Sequence, residues 1–209
     1  MLELFLAVLA SLFSMVNPLG AIPVFLGMTP HYTKQERTQT ALHTSLYFTL
    51  ILLTFFLAGS LILSFFGISI NAMRIAGGLV ILLSGYSLMS GKFAEGRAVD
   101  KKVKQEALTK DDISFSPMAM PLLSGPGSIS YLISIQAEHT TWEPRLVISA
   151  VVVAMGAIVY SVLRYSPYLQ KVLGVAGLNA LSRIMGFLVM AIGIQNIITG
   201  IVELVKILA

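Results

Sequence analysis

The chain has no cysteine and very little charge. Of its 209 residues only 11% are Asp, Glu, Lys or Arg, against about a quarter in soluble domains. The missing cysteine excludes disulfides and thiolate metal sites. The missing charge, with 56% hydrophobic residues and a mean hydropathy of +0.85, excludes a soluble globular chain. Acids are absent from the middle of every apolar stretch, since Glu3, Glu138 and Glu203 stand at ends. A buried carboxylate proton relay therefore has no residue to use. The sequence has no Walker loop, no His-Glu-x-x-His and no metal-ligand cluster, so ATP hydrolysis and metalloproteolysis are not expected. The expectation is a chain that is not an enzyme and carries no cofactor.

Six apolar stretches are present, at roughly 2–27, 41–65, 70–90, 115–136, 145–164 and 181–205. Each approaches the 20 or so residues that a spanning helix needs. Helices are expected because lipid offers backbone groups no partner. A barrel strand would alternate, and "LILLTFF" (50–56) does not. Residues 1–16 are apolar, but Glu3 precedes any basic residue. They read as part of the fold and not as a secretory signal. The reading is an all-α membrane protein divided into 1–90, a polar loop at 91–112, and 113–209.

Basic residues set the orientation. Eleven of the 14 fall in or beside three loops. These are Lys34 and Arg37; Lys92, Arg97, Lys101, Lys102, Lys104 and Lys110; and Arg164, Lys171 and Arg183. Arg74, Arg145 and Lys206 fall on the other side. This places both termini outside and the 91–112 loop in the cytoplasm. The net charge of +4 is then a topology signal, and nucleic acid is not an expected partner.

The third stretch and the sixth resemble each other. In "INAMRIAGGLVILLSGYSLMSG" (70–91) and "LNALSRIMGFLVMAIGIQNIITG" (178–200), one gap aligns Asn71 with Asn179, Arg74 with Arg183, and Gly77 with Gly186. The offset from Asn71 to Asn179 also carries Pro18 onto Pro126. Pro18 belongs to "NPLGAIP" (17–23) and Pro126 to "SGPGS" (124–128), two interruptions of otherwise charge-free stretches. The reading is a duplicated three-helix unit. Because three is odd, the second copy is inverted, and helices 1 and 4 are broken near the midplane. Paired broken helices in inverted repeats mark the binding sites of secondary transporters.

Proline and glycine release backbone groups from helical bonding. A restarted helix offers free N–H groups to an anion, and freed carbonyls can hold an ammonium or a cation. A small zwitterionic amino acid needs both. The candidate site residues are Asn17, Pro18, Gly20, Ser124, Gly125, Pro126, Gly127 and Ser128, with Ser130 at the same level. His43, Ser84, Gln195 and Asn196 are weaker candidates for lining the cavity, beside Ser87 and Tyr86. His43 could pass a proton, and freed carbonyls could hold Na⁺, so either could be the coupling ion. Arg74 and Arg183 read as interface anchors, and Gly77, Gly78 and Gly186 as close helix contacts.

At these motifs the chain resembles the MarC family of bacterial and archaeal inner-membrane proteins. That family carries an Asn-or-Asp-Pro-x-Gly-x-x-Pro motif in its first helix, matched here by Asn17, Pro18, Gly20 and Pro23. A Pro- and Gly-rich motif in its fourth helix is matched by Pro117, Ala119, Pro121, Gly125 and Pro126. The resemblance covers essentially the whole chain, though the 91–112 loop has no family pattern. It implies six transmembrane helices and, for some members, transport of small neutral amino acids such as alanine and glycine. Two other functions stay open. One is an aquaporin-like passive channel, against which no Asn-Pro-Ala occurs. The other is a non-transporting scaffold, for which 91–112 is the sole sizeable soluble surface.

Overall fold

The computed structural model describes residues 1–91, 112–139 and 141–208, so most of the expected loop 91–112 lies outside the described residues. Every regular element among these residues is helical. Helix α1 (Leu2–Val16) ends where Asn17 adopts left-handed torsions, φ 47° and ψ 63°. Asn tolerates this region better than other side chains, because its short amide can bond locally. Here Asn17 Oδ1 accepts the Gly20 N–H at 3.2 Å. One residue thus stops α1 and caps α2 (Pro18–Met28). Pro18 takes the first position of α2, where its missing N–H costs nothing.

Helix α3 (Lys34–Phe65) starts well before the expected residue 41. The reason is a reciprocal cap: Thr33 Oγ1 accepts the Glu36 N–H at 3.2 Å, and Glu36 Oε2 accepts the Thr33 N–H at 2.7 Å. Such a box satisfies two orphan donors and draws polar residues into the first turn. Helix α4 (Ile70–Met89) follows a tight turn and is capped by Ser69.

Segment α5 (Ser114–Leu123) is not a regular helix. Ser116 and Met120 hold extended torsions, and each precedes a proline whose ring excludes the helical region for its predecessor. The turns widen accordingly, with Met118 N–H on Ile113 O at 3.2 Å and Ser124 N–H on Ala119 O at 2.8 Å, each five residues back. The chain then bends by 64° into α6 (Pro126–Glu138). Helix α7 (Trp142–Arg164) is continuous. Helix α8 (Ser166–Leu208) breaks at Gly174, where φ is 65°. Forty-three residues of straight helix would reach about 65 Å, roughly twice the hydrocarbon thickness. The break separates a short first segment, which the 181–205 expectation missed, from the long apolar one.

Among the described residues five helical stretches, with α1 and α2 together as Leu2–Met28, are long and apolar enough to cross a membrane, and six if α5 and α6 count as one bent span. Leu50, Leu57 and Leu61 of α3 and Phe187 of α8 are mostly exposed, as expected of side chains that face lipid. Phe25, Phe48 and Phe56 are fully buried in the core.

Helices before residue 92 pack chiefly on helices after it: α4 on α8, α3 on α7, α2 on α8 and α6 on α4. The α4–α8 contact is backbone on backbone. A Cβ on Gly193 would sit 2.6 Å from Leu82 N and 2.8 Å from Gly78 O, and one on Gly85 would sit 2.6 Å from Met190 N. The glycines expected to make close contacts do so, because small residues are what let membrane helices approach this closely. At one rim Arg74 pairs with Glu138 at 2.7 Å, an anchor across α4 and α6.

Candidate functional site

A cavity of about 310 Å³ lies against the start of α6. Its walls include Gly125, Gly127, Ser128, Ser84, Ser87 and Met15. The second break thus supplies one wall and α4 the facing one. Among the described residues no charged side chain lines it. Gly125 is the cap of α6 and Pro126 its first residue, so Gly127 and Ser128 stand in the first turn. Their N–H groups lack intrahelical acceptors by position. The Ser128 hydroxyl donates to Gly125 O at 2.9 Å, and the Ser84 hydroxyl to Val80 O at 2.8 Å. Each oxygen therefore keeps lone pairs for an incoming donor.

A second cavity, of about 370 Å³, continues along α4. Met73, Ala76 and Gly77 line it from α4, with Met120, Ser124 and Ser130 opposite. Val80 and Pro126 belong to both cavities. Since Met73 to Gly77 and Leu83 to Ser87 lie on either side of Val80, the two spaces stack along the α4 axis, about 10 Å apart by helical rise. Ser124 Oγ and Ser130 Oγ are buried without a hydrogen-bond partner. Ser130 fits only because Gly77 has no side chain: a Cβ there would collide with the Ser130 hydroxyl.

The first break lies elsewhere. Asn17, Pro18 and Gly20 do not line the cavity; Met15, two residues before the break, is the α1 residue that does. Asn17 is buried, and its Nδ2 has no partner. A Cβ on Gly20 would sit 2.5 Å from Asn17 Nδ2 and 2.7 Å from Ser182 Oγ, so this break packs beside Ser182 of α8. Sequence reading passed over Ser182, although it stands inside the aligned "LNALSRIMG" segment.

Four of the weaker candidates lie away from both cavities. His43 sits at the edge of an aromatic row, 6.5 Å from the Tyr47 ring, which meets Phe115 edge-on. Gln195 is exposed and donates to Thr199 Oγ1 at 3.4 Å, one turn along α8. Asn196 is half-buried but lines neither cavity, and Tyr86 faces outward. Ser84 and Ser87 line the first cavity. Among the described residues no cluster of His, Asp or Glu could hold a metal ion.

The left-handed torsion at Asn17 makes a direct test. Asn17→Gly keeps the torsion and loses the cap, whereas Asn17→Ala loses both. The alanine variant is expected to be less stable than the glycine variant by about 1–2 kcal/mol. Thermal unfolding in detergent would measure the gap, and coincident melting would remove the torsional requirement.

Residues 2–205 match the family described as MarC family integral membrane protein. A UPF0056 membrane protein of Buchnera aphidicola subsp. Schizaphis graminum is 38% identical over 199 residues, 95% of this chain and 92% of the relative. The UPF0056 membrane protein YhcE of Escherichia coli is 37% identical over 91% of this chain and 88% of its own. The UPF0056 inner membrane protein MarC of Salmonella typhimurium is 33% identical over 99% of each chain. No solved structure matches the chain.

Proposed function

The chain belongs to the MarC family of integral membrane proteins, and from that premise we propose that it is a secondary carrier of small neutral amino acids such as alanine or glycine. The observation that supports this most is an uncharged cavity at the free N-terminus of α6. The first-turn N–H groups of Gly127 and Ser128 suit a carboxylate, which the helix dipole favours there. The Ser84 and Ser128 oxygens suit the ammonium. A substrate with net charge would enter without a counter-charge and at high desolvation cost. At about 310 Å³, the cavity lies at the small end of the range for ligand sites.

Alternating access is the mechanism that fits this reading. The halves 1–90 and 113–209 act as inverted repeats, supported by Pro18 and Pro126 both opening a restarted helix. Support also comes from the exchanged packing of α2 on α8 and α6 on α4. Val80 and Pro126 form the wall between the two stacked cavities. Rocking α4 against α6 would open one cavity while closing the other. The orphan hydroxyls of Ser124 and Ser130 offer the next hydrogen bonds along that path. The membrane is the cell's inner membrane, with both termini outside.

The test is counterflow of labelled alanine or glycine into proteoliposomes preloaded with unlabelled amino acid, with and without a Na⁺ or H⁺ gradient. Saturable uptake, accelerated by preloading, is expected. Flux that is linear in concentration and indifferent to preloading would replace the carrier with a channel. No flux of either amino acid would refute this substrate assignment.

A further inference from the structure

At the rim opposite the Arg74–Glu138 pair, the start of α3 meets the turn between α7 and α8. A pocket of about 590 Å³ lies there, walled by Lys34, Arg37, Arg164, Tyr165, Pro167 and Tyr168. Among the described residues it has three cations and no carboxylate. Glu36, the nearest acid on α3, is turned back onto Thr33, with Oε2 accepting from N at 2.7 Å and from Oγ1 at 2.8 Å. Among the described residues none of the three cations has a carboxylate partner.

The cations are held in place by other means. Arg37 Nη2 donates to Thr29 O at 2.9 Å, tying α3 to the end of α2. Arg164 Nη1 donates to Tyr160 Oη at 2.6 Å. Its guanidinium carbon lies 5.6 Å and 5.8 Å from the Tyr160 and Tyr165 ring centres. Fixed, unpaired guanidinium groups are suited to phosphate, whose oxygens accept their forked donors.

The level of the pocket narrows the source. Arg164 ends the apolar span of α7, and the first segment of α8 runs only from Ser166 to the Gly174 break. Tyr165, Tyr168 and Val172, around that segment, are all more than half exposed. Tyrosines in this position belong to the aromatic belt at the membrane–water boundary. A basic pocket between spanning helices at that depth meets lipid headgroups first. We propose that this pocket binds the phosphate of an anionic phospholipid headgroup, with Tyr165, Tyr168 and Val172 against the lipid body. This does not depend on the substrate cavity.

The test uses the full chain purified in neutral detergent. Its melting temperature is followed as phosphatidylglycerol, phosphatidylcholine or sodium phosphate is added. Phosphatidylglycerol is expected to stabilise at lower concentration than phosphatidylcholine. In the Lys34→Gln/Arg164→Gln double variant, the apparent affinity for phosphatidylglycerol should fall about thirty-fold, the equivalent of about 1 kcal/mol per charge. Both residues are exposed, so the variant should fold, and Arg164→Lys, which keeps the charge but loses the forked donors, should fall between the parent and the double variant. A double variant that answers phosphatidylglycerol like the parent would overturn the proposal. Millimolar phosphate that displaces the lipid effect would overturn the lipid as occupant and leave a free-phosphate site.

Discussion

Replacing Gly193 with leucine should leave almost no folded protein. The three atoms nearest to a Cβ at Gly193 are Leu82 N at 2.6 Å, Gly78 O at 2.8 Å and Leu82 Cα at 3.0 Å. All three are backbone, so no rotamer change relieves the overlap. The two helices would have to separate, and this is the most extensive contact in the fold. Overpacking a core by a methylene or two costs about 1–3 kcal/mol. That range is expected for Gly193→Ala, whereas the leucine should exceed it and convert the protein to aggregate. Size-exclusion profiles and thermal unfolding in detergent would measure both. Gly27→Ala is the control, since nothing lies within 4 Å of a Cβ there. Normal folding of Gly193→Leu would mean that α4 and α8 do not touch through their backbones.

Gly127→Val should abolish transport while leaving the protein folded. A Cβ at Gly127 meets Ile81 Cγ1 at an ordinary 3.4 Å and Ser84 Oγ at 3.8 Å, so the backbone has room for a side chain. The added methyl groups would instead occupy the space between Ser84 and the first turn of α6, where the amino acid is proposed to bind. Each carbon of misfit in a close-fitting pocket costs about 10- to 200-fold in discrimination. Counterflow of alanine should therefore drop by at least about tenfold, and glycine should suffer less than alanine because it is smaller. Unchanged uptake of both would move the substrate away from this cavity. An unfolded variant would be distinguished by its size-exclusion profile, and Gly127→Ala would then carry the same test at smaller amplitude.

Much of the helical framework was legible because the signals are local. Charge-free runs of sufficient length specify spanning helices without reference to any partner, and the spans starting near Leu2, Ile70 and Trp142 follow from them. The glycine contacts were legible in kind, since paired glycines on apolar helices have few other uses. Pro18 and Pro126 were singled out in the sequence as helix breakers, and in the structure each opens a helix. Both prolines sit at the first position of a new helix, where they release nothing. The stops come from the Asn17 torsion and from the bend at Ser124 and Gly125. The strongest prolines in the fold are Pro117 and Pro121, which force Ser116 and Met120 out of the helix. The early start of α3 was missed because it rests on a polar cap, and hydropathy does not register caps.

The sequence by itself determined that this is a helical membrane protein, roughly where most of its apolar spans lie, and which family it resembles. Only the tertiary structure decided which interruption borders a cavity. Asn17 and Ser128 are equivalent in the sequence argument, yet Asn17 is packed beside Ser182 while Ser128 opens onto the cavity facing Ser84. The same holds for the polar residues of the last helix. Gln195 and Ser182 share α8, but one faces outward and the other is buried. The physical reason is that hydropathy and helix breakers act within a few residues, whereas a cavity is the gap left between helices that meet across more than a hundred. That gap depends on the rotation of α4 and α8 about their axes, which the backbone contact at Gly78, Gly85, Gly186 and Gly193 sets.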